Sequence, residues 1–394
     1  MSDLQSVLLR CQEVFEHEYL DAGTDLVYDY RTSLDHEHRF DHLPTPEEIA
    51  RRFPNACGWA SGMEDSMLNN PIALSMYLDA GDAEMAYRMY RGMKLCGTIS
   101  GVPGMVVRSV HPGDGKSFFP ESSRDQYTHY VHGLWEYYHS PFSDATAREE
   151  IRKLLTEVAD FCEKHVTPEN DYTLPRADFD PVRTAVCKMW ETGAHEAARL
   201  PMFYMAAYDV SKDKHYLELC LRYAADAAEQ SNRLLPGAYR SFAVMQMLLS
   251  CRVLYSCLPD PALRARYLEA MEDIYHYSFF NLLQCAERRR TTDLYAAPEN
   301  WRTISRCRVY PVTRHTIPVF NDGYDMAFWT MREIGEVMLI ALFCPDPAKR
   351  VSAAHKRIFR FMLEGFEPER HHPVEGVLFP AAVHHKLRKL GVTL

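Results

Sequence analysis

The chain has 394 residues, of which 47% are hydrophobic and 25% are charged, and these ordinary values allow a large buried core. Its formal net charge of -10 disfavours nucleic acid or an anionic membrane as a partner. Because no linker, low-complexity tract or block of like charge interrupts the chain, we expect one domain over residues 1–394.

Helical periodicity dominates the sequence in chain order. An apolar stripe begins at Leu4, and Thr45-Pro46-Glu47-Glu48 carries the pattern of a helix start. Further helices are predicted at about 70–79, 82–95, 123–138, 144–165, 193–209, 213–233, 238–256, 260–287, 323–343 and 347–364. Short extended segments are predicted at about 106–110 and 308–312, inside long connections.

Short turns alternate with long connections between these helices. The short turns are Ala80-Gly81-Asp82, Pro141-Phe142-Ser143-Asp144, Val210-Ser211-Lys212-Asp213, Leu258-Pro259-Asp260-Pro261 and Cys344-Pro345-Asp346-Pro347. Helices joined by short turns run antiparallel, so the long connections should gather at one end. We therefore predict an all-α fold in which six hairpins close into an (α/α)6 toroid with minor strands. An open α-solenoid is the alternative, but no repeat of fixed period supports it.

The cysteines indicate a reducing compartment. All eleven occur singly, without a Cys-x-x-Cys pair, and most lie within helical patterns. The first residues have neither the basic start nor the apolar run of a signal peptide, and no segment has the apolar length needed to cross a bilayer. We expect a cytoplasmic protein that binds no membrane and no nucleic acid, with a homo-oligomer left open.

No metal or cofactor is expected. His129 and His132 share a helix face, but no third ligand follows at a recognisable spacing. The sequence also has no phosphate loop, dinucleotide fingerprint or nucleophile elbow. The histidines of the proline-containing, basic tail are expected at the surface; they are His371, His372, His384 and His385.

Acidic residues in the long connections are candidates for catalysis. Adjacent like charges and partial burial raise the pKa of a carboxyl group and suit it to general acid or base work. Helix capping by the same acids is the alternative interpretation. The candidate catalytic residues are Glu64, Asp65, Asp125 and Glu196.

Polar and aromatic side chains near these acids are candidates for binding. The helix that starts near Ser123 is polar or aromatic on nearly every face, which is typical of a helix lining a wet cavity. Alternatives are a capping box at Ser122 and Ser123, and a structural Glu196–Arg199 pair. The candidate binding residues are Trp59, Asn69, Glu121, Arg124, Tyr127, His129, Trp190, His195, Arg199, Arg240 and His315.

Three segments carry a resemblance to a known superfamily: Trp59 to Asp65, Glu121 to Tyr127, and His195 to Pro201. On these segments and on its helix alternation the chain resembles the six-hairpin glycosidases, which include unsaturated glucuronyl hydrolases and the β-glucuronidases of glycoside hydrolase family 154. The resemblance implies an (α/α)6 catalytic domain over the whole chain that acts on uronic acid sugars. No catalytic motif aligns residue by residue, so it assigns no role to a residue.

The leading functional hypothesis is a glycoside hydrolase that acts on an oligosaccharide containing uronic acid. Hydrolysis needs two carboxyl groups across the bond, and Asp125 with Glu64 or Asp65 is the predicted pair. A polysaccharide lyase is the second hypothesis, with Tyr127 and His129, His195 or His315 as base and acid. Two further alternatives are a sugar epimerase that uses two histidines and a helical binding scaffold without enzymatic activity.

Overall fold

The structure is a computed structural model that describes residues 4–182, 186–235, 237–309 and 316–394. Its α-helices are α1 (Leu4–Glu18), α2 (Pro46–Ala50), α3 (Ser66–Ala80), α4 (Ala83–Thr98), α5 (Arg124–Tyr138), α6 (Ala145–His165), α7 (Arg199–Ser211), α8 (Lys214–Ser231), α9 (Ser241–Cys257), α10 (Pro261–Arg289), α11 (Asp322–Phe343), α12 (Pro347–Arg350), α13 (Ala353–Leu363) and α14 (Glu375–Lys389). Single 3-10 turns occur at His36–His38, Pro168–Asn170, Trp301–Thr303 and Pro368–Arg370. Strands β1 (Cys307–Val309) and β2 (Thr316–Pro318) form an antiparallel hairpin.

The helices form two concentric rings. In the inner ring α3, α5, α7, α9, α11 and α14 each pack against the next, and α14 closes the ring against α3. The outer helices α4, α6, α8, α10, α13 and α1 pack against the outside of this ring. The predicted all-α (α/α)6 toroid is confirmed.

Aspartate caps explain the short turns at one end of the toroid. Asp82, Asp144, Asp213 and Asp260 each accept a hydrogen bond from a backbone N–H in the first turn of the outer helix that follows. Such caps satisfy donors that a helix start leaves unpaired. The chain therefore reverses direction there, and the inner helices all begin at the opposite end.

The inner helices are buried on nearly every side, whereas the outer helices are amphipathic. In α3 every residue from Ser66 to Tyr77 is buried, whereas α6 buries one stripe that includes Ile151, Leu155 and Val158. No helix in the described ranges is both long and apolar enough to span a membrane. The inner ring therefore forms the core and positions whatever its N-terminal end carries.

The C-terminal segment corrects a prediction. His371, His372, His384 and His385 are buried instead of exposed, with at most 7% of any of them accessible. The segment forms α14, the sixth inner helix, which is covered by α1, α3 and α11. Its proline and basic residues concealed the helix, because Pro380 lies inside α14.

Several predicted boundaries also change. Helix α3 begins at Ser66, before the expected Asn70-Pro71 start, and its first turn is held by the Arg108 carbonyl, which accepts from the Met67 N–H at 3.2 Å. Helix α7 begins at Arg199 instead of 193, and the helix expected at 347–364 is divided into α12 and α13. Residues 106–110 form no strand. In the second predicted strand, Arg308 and Val309 belong to β1, and 310–312 lie outside the described residues.

Candidate active site

At the end where the inner helices begin, the interior of the ring is polar. Buried or half-buried polar side chains come from every inner helix: Asp65, Asn69, Gln126, His129, Arg199, Gln246, Arg332, Glu336 and Glu375. Several of these side chains have buried polar atoms without a hydrogen-bond partner: Asn69, Gln126, His129, Arg199, Gln246 and Glu375. Buried polar groups are rarely left unpaired in proteins. The unpaired atoms identify this end of the ring as a candidate ligand site.

Asp29 fixes the backbone that carries the first two acids. Its carboxylate accepts hydrogen bonds from the backbone N–H of Glu64 (2.7 Å) and of Asp65 (3.0 Å). The Glu64 side chain in turn accepts a hydrogen bond from the Ala60 N–H at 2.6 Å. The two adjacent carboxyl groups are therefore held at the start of α3 by a third, buried one.

Arg108 and Gln126 hold Asp65 from two sides. The Arg108 Nη1 atom donates to the Glu64 carbonyl oxygen at 2.7 Å and lies 3.6 Å from Asp65 Oδ1. Gln126 Nε2 donates to the same Oδ1 atom at 2.8 Å. Arg332 Nη1 lies 3.7 Å from the other oxygen, Oδ2. The Asp65 carboxylate thus lies between two arginines.

The carboxyl groups near Arg108 have pKa values shifted in opposite directions. Burial and the negative charge of Asp65 raise the pKa of Glu64 to about 8. Burial also favours the protonated form of Asp125, but Arg108, a hydrogen bond from Ser123, Arg199 and Arg124 outweigh it and lower the pKa of Asp125 to about 2. At neutral pH Glu64 is therefore mostly protonated and Asp125 is ionised.

Glu196 neutralises two arginines in front of α7. Its Oε1 atom accepts a hydrogen bond from Arg124 Nε at 2.8 Å, and it lies 2.6 Å from Arg124 Nη2 and 3.8 Å from Arg199 Nη2. Arg199 also donates to Gln246 Oε1 at 2.6 Å. Burial disfavours the charge on Glu196, but the nearby arginines lower its pKa. The structure thus contains the Glu196–Arg199 pair considered as an alternative, extended by Arg124.

Two histidines of the site are neutral at pH 7. Burial lowers the pKa of His129 to about 3 and that of His195 to about 4. The Nδ1 atom of each ring is buried without a hydrogen-bond partner. His195 packs against the Tyr239 ring, with centroids 4.4 Å apart, and lies 3.5 Å from Glu196. Both imidazoles are therefore in the form that can accept a proton.

An aromatic cluster lies on the α9–α11 side of the site. Trp329 contacts Phe328 and Phe242, with ring centroids 4.8 Å and 5.7 Å away. The guanidinium carbon of the exposed Arg240 lies 4.0 Å from the Trp329 ring centre, and that of the buried Arg332 lies 5.6 Å from it. The cluster therefore connects an exposed cation with the buried Arg332 beside Asp65.

Two of the other predicted binding residues, Tyr127 and Trp190, are packed against other side chains. Tyr127 lies in the core, where its hydroxyl accepts from the Val106 N–H and donates to the Gly104 carbonyl. It exposes no surface to a ligand, so we remove it from the candidate set. Trp190 is 9% exposed and packs edge-on against Tyr223.

Trp59, Asn69 and Glu121 surround the start of α3 at different depths. Trp59 is half-buried beside Asn55, whose side chain binds its backbone. Asn69 is fully buried one turn beyond Asp65, and Glu121 is fully buried near Cys57. His315 lies outside the described residues. Asn69 retains unpaired polar atoms that a ligand or water can use.

Sequence reasoning missed the residues that set the charges of the acids. Arg332, Glu336 and Glu375 form a buried chain: Arg332 Nε donates to Glu336 at 2.7 Å, and Arg332 Nη1 donates to Glu375 at 3.2 Å. Arg332 and Glu336 lie, together with Glu333, just before a long apolar run of α11, and this pattern could have identified them. Asp29 and Arg108 lie in irregular segments that gave no such pattern.

The fold, rather than the sequence, relates this chain to known proteins. No protein-family model matches the chain, and no curated protein matches it in sequence. It is similar to a sugar epimerase from a ruminal bacterium, with 10% identity, a TM-score of 0.51 and coverage of 100% of this chain and 99% of that one. A glycoside hydrolase family 76 mannosidase from Bacteroides thetaiotaomicron matches with 9% identity, a TM-score of 0.47 and coverage of 98% and 99%. The chain therefore has a toroid fold that a carbohydrate-processing enzyme also has.

Proposed function

We propose that the protein is a glycoside hydrolase that cleaves oligosaccharides containing uronic acid. The observation that carries the proposal is the pair of carboxyl groups with opposite protonation: Glu64 has a pKa of about 8 and Asp125 one of about 2. Two titratable groups whose environments separate their pKa values in this way suit an acid and a base in one site. Glycoside hydrolysis requires that combination.

In this mechanism Glu64 protonates the glycosidic oxygen as the bond to the leaving group breaks. Asp125 is the ionised partner, which acts on water as a base or on the sugar as a nucleophile. Asp65 is held by Arg108, Arg332 and Gln126, and its negative charge raises the pKa of its neighbour. We therefore assign the acid to Glu64, and Asp65 keeps Glu64 protonated.

The uronate preference rests on Arg240. Among the residues that the structure describes, no carboxylate lies within ion-pair distance of this exposed guanidinium, whereas Glu196 neutralises Arg124. The Arg240 guanidinium packs on the face of the Trp329 ring. The Trp329 Nε1–H donates to Asp325 at 3.0 Å, which fixes the ring. Arginine binds a carboxylate through charge-assisted hydrogen bonds. A sugar that packs on the aromatic cluster would place its carboxylate at Arg240.

Substitution of Arg240 by alanine tests this preference. We expect KM for an aryl glucuronide to rise on the order of 10- to 100-fold, because a charge-assisted hydrogen bond contributes about 1.5–3 kcal/mol. KM for the neutral aryl glucoside should stay unchanged. Arg233→Ala is the control, since Arg233 is exposed in the same connection and pairs with Glu229. Equal effects of Arg240→Ala on both substrates would contradict uronate recognition.

The pH profile tests the role of Glu64. We expect kcat/KM of the wild type to fall as the pH rises through about 8, because Glu64 then loses the proton that it must donate. Glu64→Gln should abolish this basic limb and lower the rate by about 10²–10⁴-fold. Glu84→Gln, in the exposed first turn of α4, is the control. A basic limb that persists in Glu64→Gln would exclude Glu64 as the acid.

A sugar epimerase is the second candidate, favoured by the two neutral histidines. His129 and His195 each have an unpaired Nδ1 atom, and the charge of Arg199 acts on both. A neutral imidazole can remove the proton beside the carbonyl of an open-chain sugar, and the second imidazole, once it has taken a proton from solvent, can return one to the opposite face. The products of a substrate screen distinguish the candidates, because hydrolysis adds the mass of water to the substrate and epimerisation leaves its mass unchanged.

A further inference from the structure

A cluster of two histidines and one glutamate lies outside the candidate active site. His17 and Glu18 are the last two residues of α1, and His36 begins the 3-10 turn His36–His38. One ligand atom of each side chain can be chosen so that all three atoms lie within 4.8 Å of one another. Two imidazoles and one carboxylate are a ligand set that zinc uses.

His17 forms a hydrogen bond with Glu18, but the contact between His36 and Glu18 fits an ion better than it fits a hydrogen bond. His36 Nδ1 lies 3.5 Å from Glu18 Oε2, and both atoms are buried without a hydrogen-bond partner. His17 Nδ1 lies 2.9 Å from Glu18 Oε1, and the two imidazole rings are 4.2 Å apart. Zinc bonds of about 2.0–2.2 Å in a tetrahedral arrangement separate neighbouring ligand atoms by about 3.3–3.5 Å. The unpaired His36–Glu18 contact has that separation.

Arg31 also faces this carboxylate. Its Nη1 atom lies 3.4 Å from Glu18 Oε2, and its other nitrogen atoms donate to the backbone carbonyls of Glu369 and His371. Arg31 therefore orients Glu18 from the protein side, while the histidines lie on its partly exposed side. Metal-ligating carboxylates commonly have such a second partner.

We propose that His17, Glu18 and His36 bind a divalent transition-metal ion, with zinc as the best fit, and that water completes the coordination. The ion joins the end of α1 to the 3-10 turn and closes the segment 19–35 into a loop. That segment contains Asp29, whose carboxylate holds the backbone of Glu64 and Asp65. The site is structural, and it does not depend on the proposed hydrolase activity.

Zinc titration of the full chain tests the proposal. After removal of metal with a chelator and dialysis, we expect calorimetry with zinc chloride to show one saturable site in the wild type. His17→Ala and His36→Ala should each weaken binding by at least the 10- to 100-fold that loss of an outer-shell partner costs. Zinc should also raise the unfolding temperature of the wild type, but not that of these variants.

His38 provides the matched control. It lies in the same 3-10 turn, is exposed, and pairs with Asp41 at 2.8 Å without a third ligand. His38→Ala should therefore bind zinc as the wild type does, and cobalt bound to either protein should show the visible absorption of a tetrahedral site. Zinc binding with unchanged stoichiometry and affinity in both His17→Ala and His36→Ala would overturn the proposal. So would a wild type that binds no zinc.

Discussion

Replacement of Asp125 by asparagine is expected to lower kcat on an aryl glucuronide by about 10²–10⁴-fold. The amide has the size of the carboxyl group and can still accept the hydrogen bond from Ser123, so the fold should be retained. It cannot carry the negative charge that Arg108, Arg124 and Arg199 stabilise in the wild type. The loss should therefore appear in kcat at neutral pH, with the circular dichroism spectrum unchanged.

The leaving group separates the roles of the two acids. A leaving group whose phenol has a low pKa departs without protonation. An activated aryl glycoside of this kind should therefore restore much of the activity of Glu64→Gln. It should not restore the activity of Asp125→Asn, because attack on the sugar still requires the carboxylate. Asp82→Asn is the control, since this aspartate caps α4 at the opposite end of the toroid. Full activity of Asp125→Asn would remove the proposed carboxylate pair.

The sequence predicted the toroid because its signals are local. The aspartate caps Asp82, Asp144, Asp213 and Asp260 are satisfied within their own turns. These turns could therefore be recognised from the local sequence alone. Helix α14 was missed because Pro380 and the basic residues of its last turn are typical of a surface tail. Its packing against α1, α3 and α11, which are distant in the sequence, shows that it is an inner helix.

The candidate site was predicted only in part, because some of its residues have local sequence signals and others do not. Glu64, Asp65 and Asp125 lie at the starts of inner helices, and the alternation of connections placed these starts together. Asp29 acts through hydrogen bonds to residues 35 and 36 positions away along the chain. Such a contact cannot be predicted from the local sequence. Opposite pKa shifts likewise depend on which arginine the fold brings beside each acid.

Arg332 is expected to make the largest contribution of any single side chain to the stability of the site. It is 4% exposed and is the positive charge nearest to Glu336 and Glu375, with Asp65 3.7 Å away. Removal of one partner of a buried ion pair costs roughly 3–5 kcal/mol, because the remaining charges lose their compensation. Arg332→Met keeps most of the volume of the side chain and should lower the free energy of unfolding by about that amount at pH 8.

The pH dependence of this loss follows from Glu375. Burial raises its pKa from 4.5 to about 8 despite the opposing effect of Arg332, so the folded state binds a proton more tightly than the unfolded state does. Stability should therefore fall as the pH rises from 4.5 to about 8. Without Arg332 the pKa of Glu375 rises further, so the fall continues to higher pH. The contribution of Glu375 to the difference between wild type and Arg332→Met should be small near pH 5 and should grow as the pH rises through about 8.

Urea denaturation across this pH range measures the effect. Arg290→Met is the control, because Arg290 forms an exposed pair with Glu287 at 3.0 Å and such pairs contribute about 0–1 kcal/mol. Glu375→Gln in the Arg332→Met background should recover part of the loss at pH 8, since glutamine needs no proton in order to be buried, whereas Glu375 must take one up on folding. A loss that is the same at pH 5 and pH 8 would show that Arg332 stabilises the ring by packing on Phe242, Phe328 and Trp329 instead. In that case the charges of the acids would not depend on Arg332, and the site would rely on Arg108 to set them.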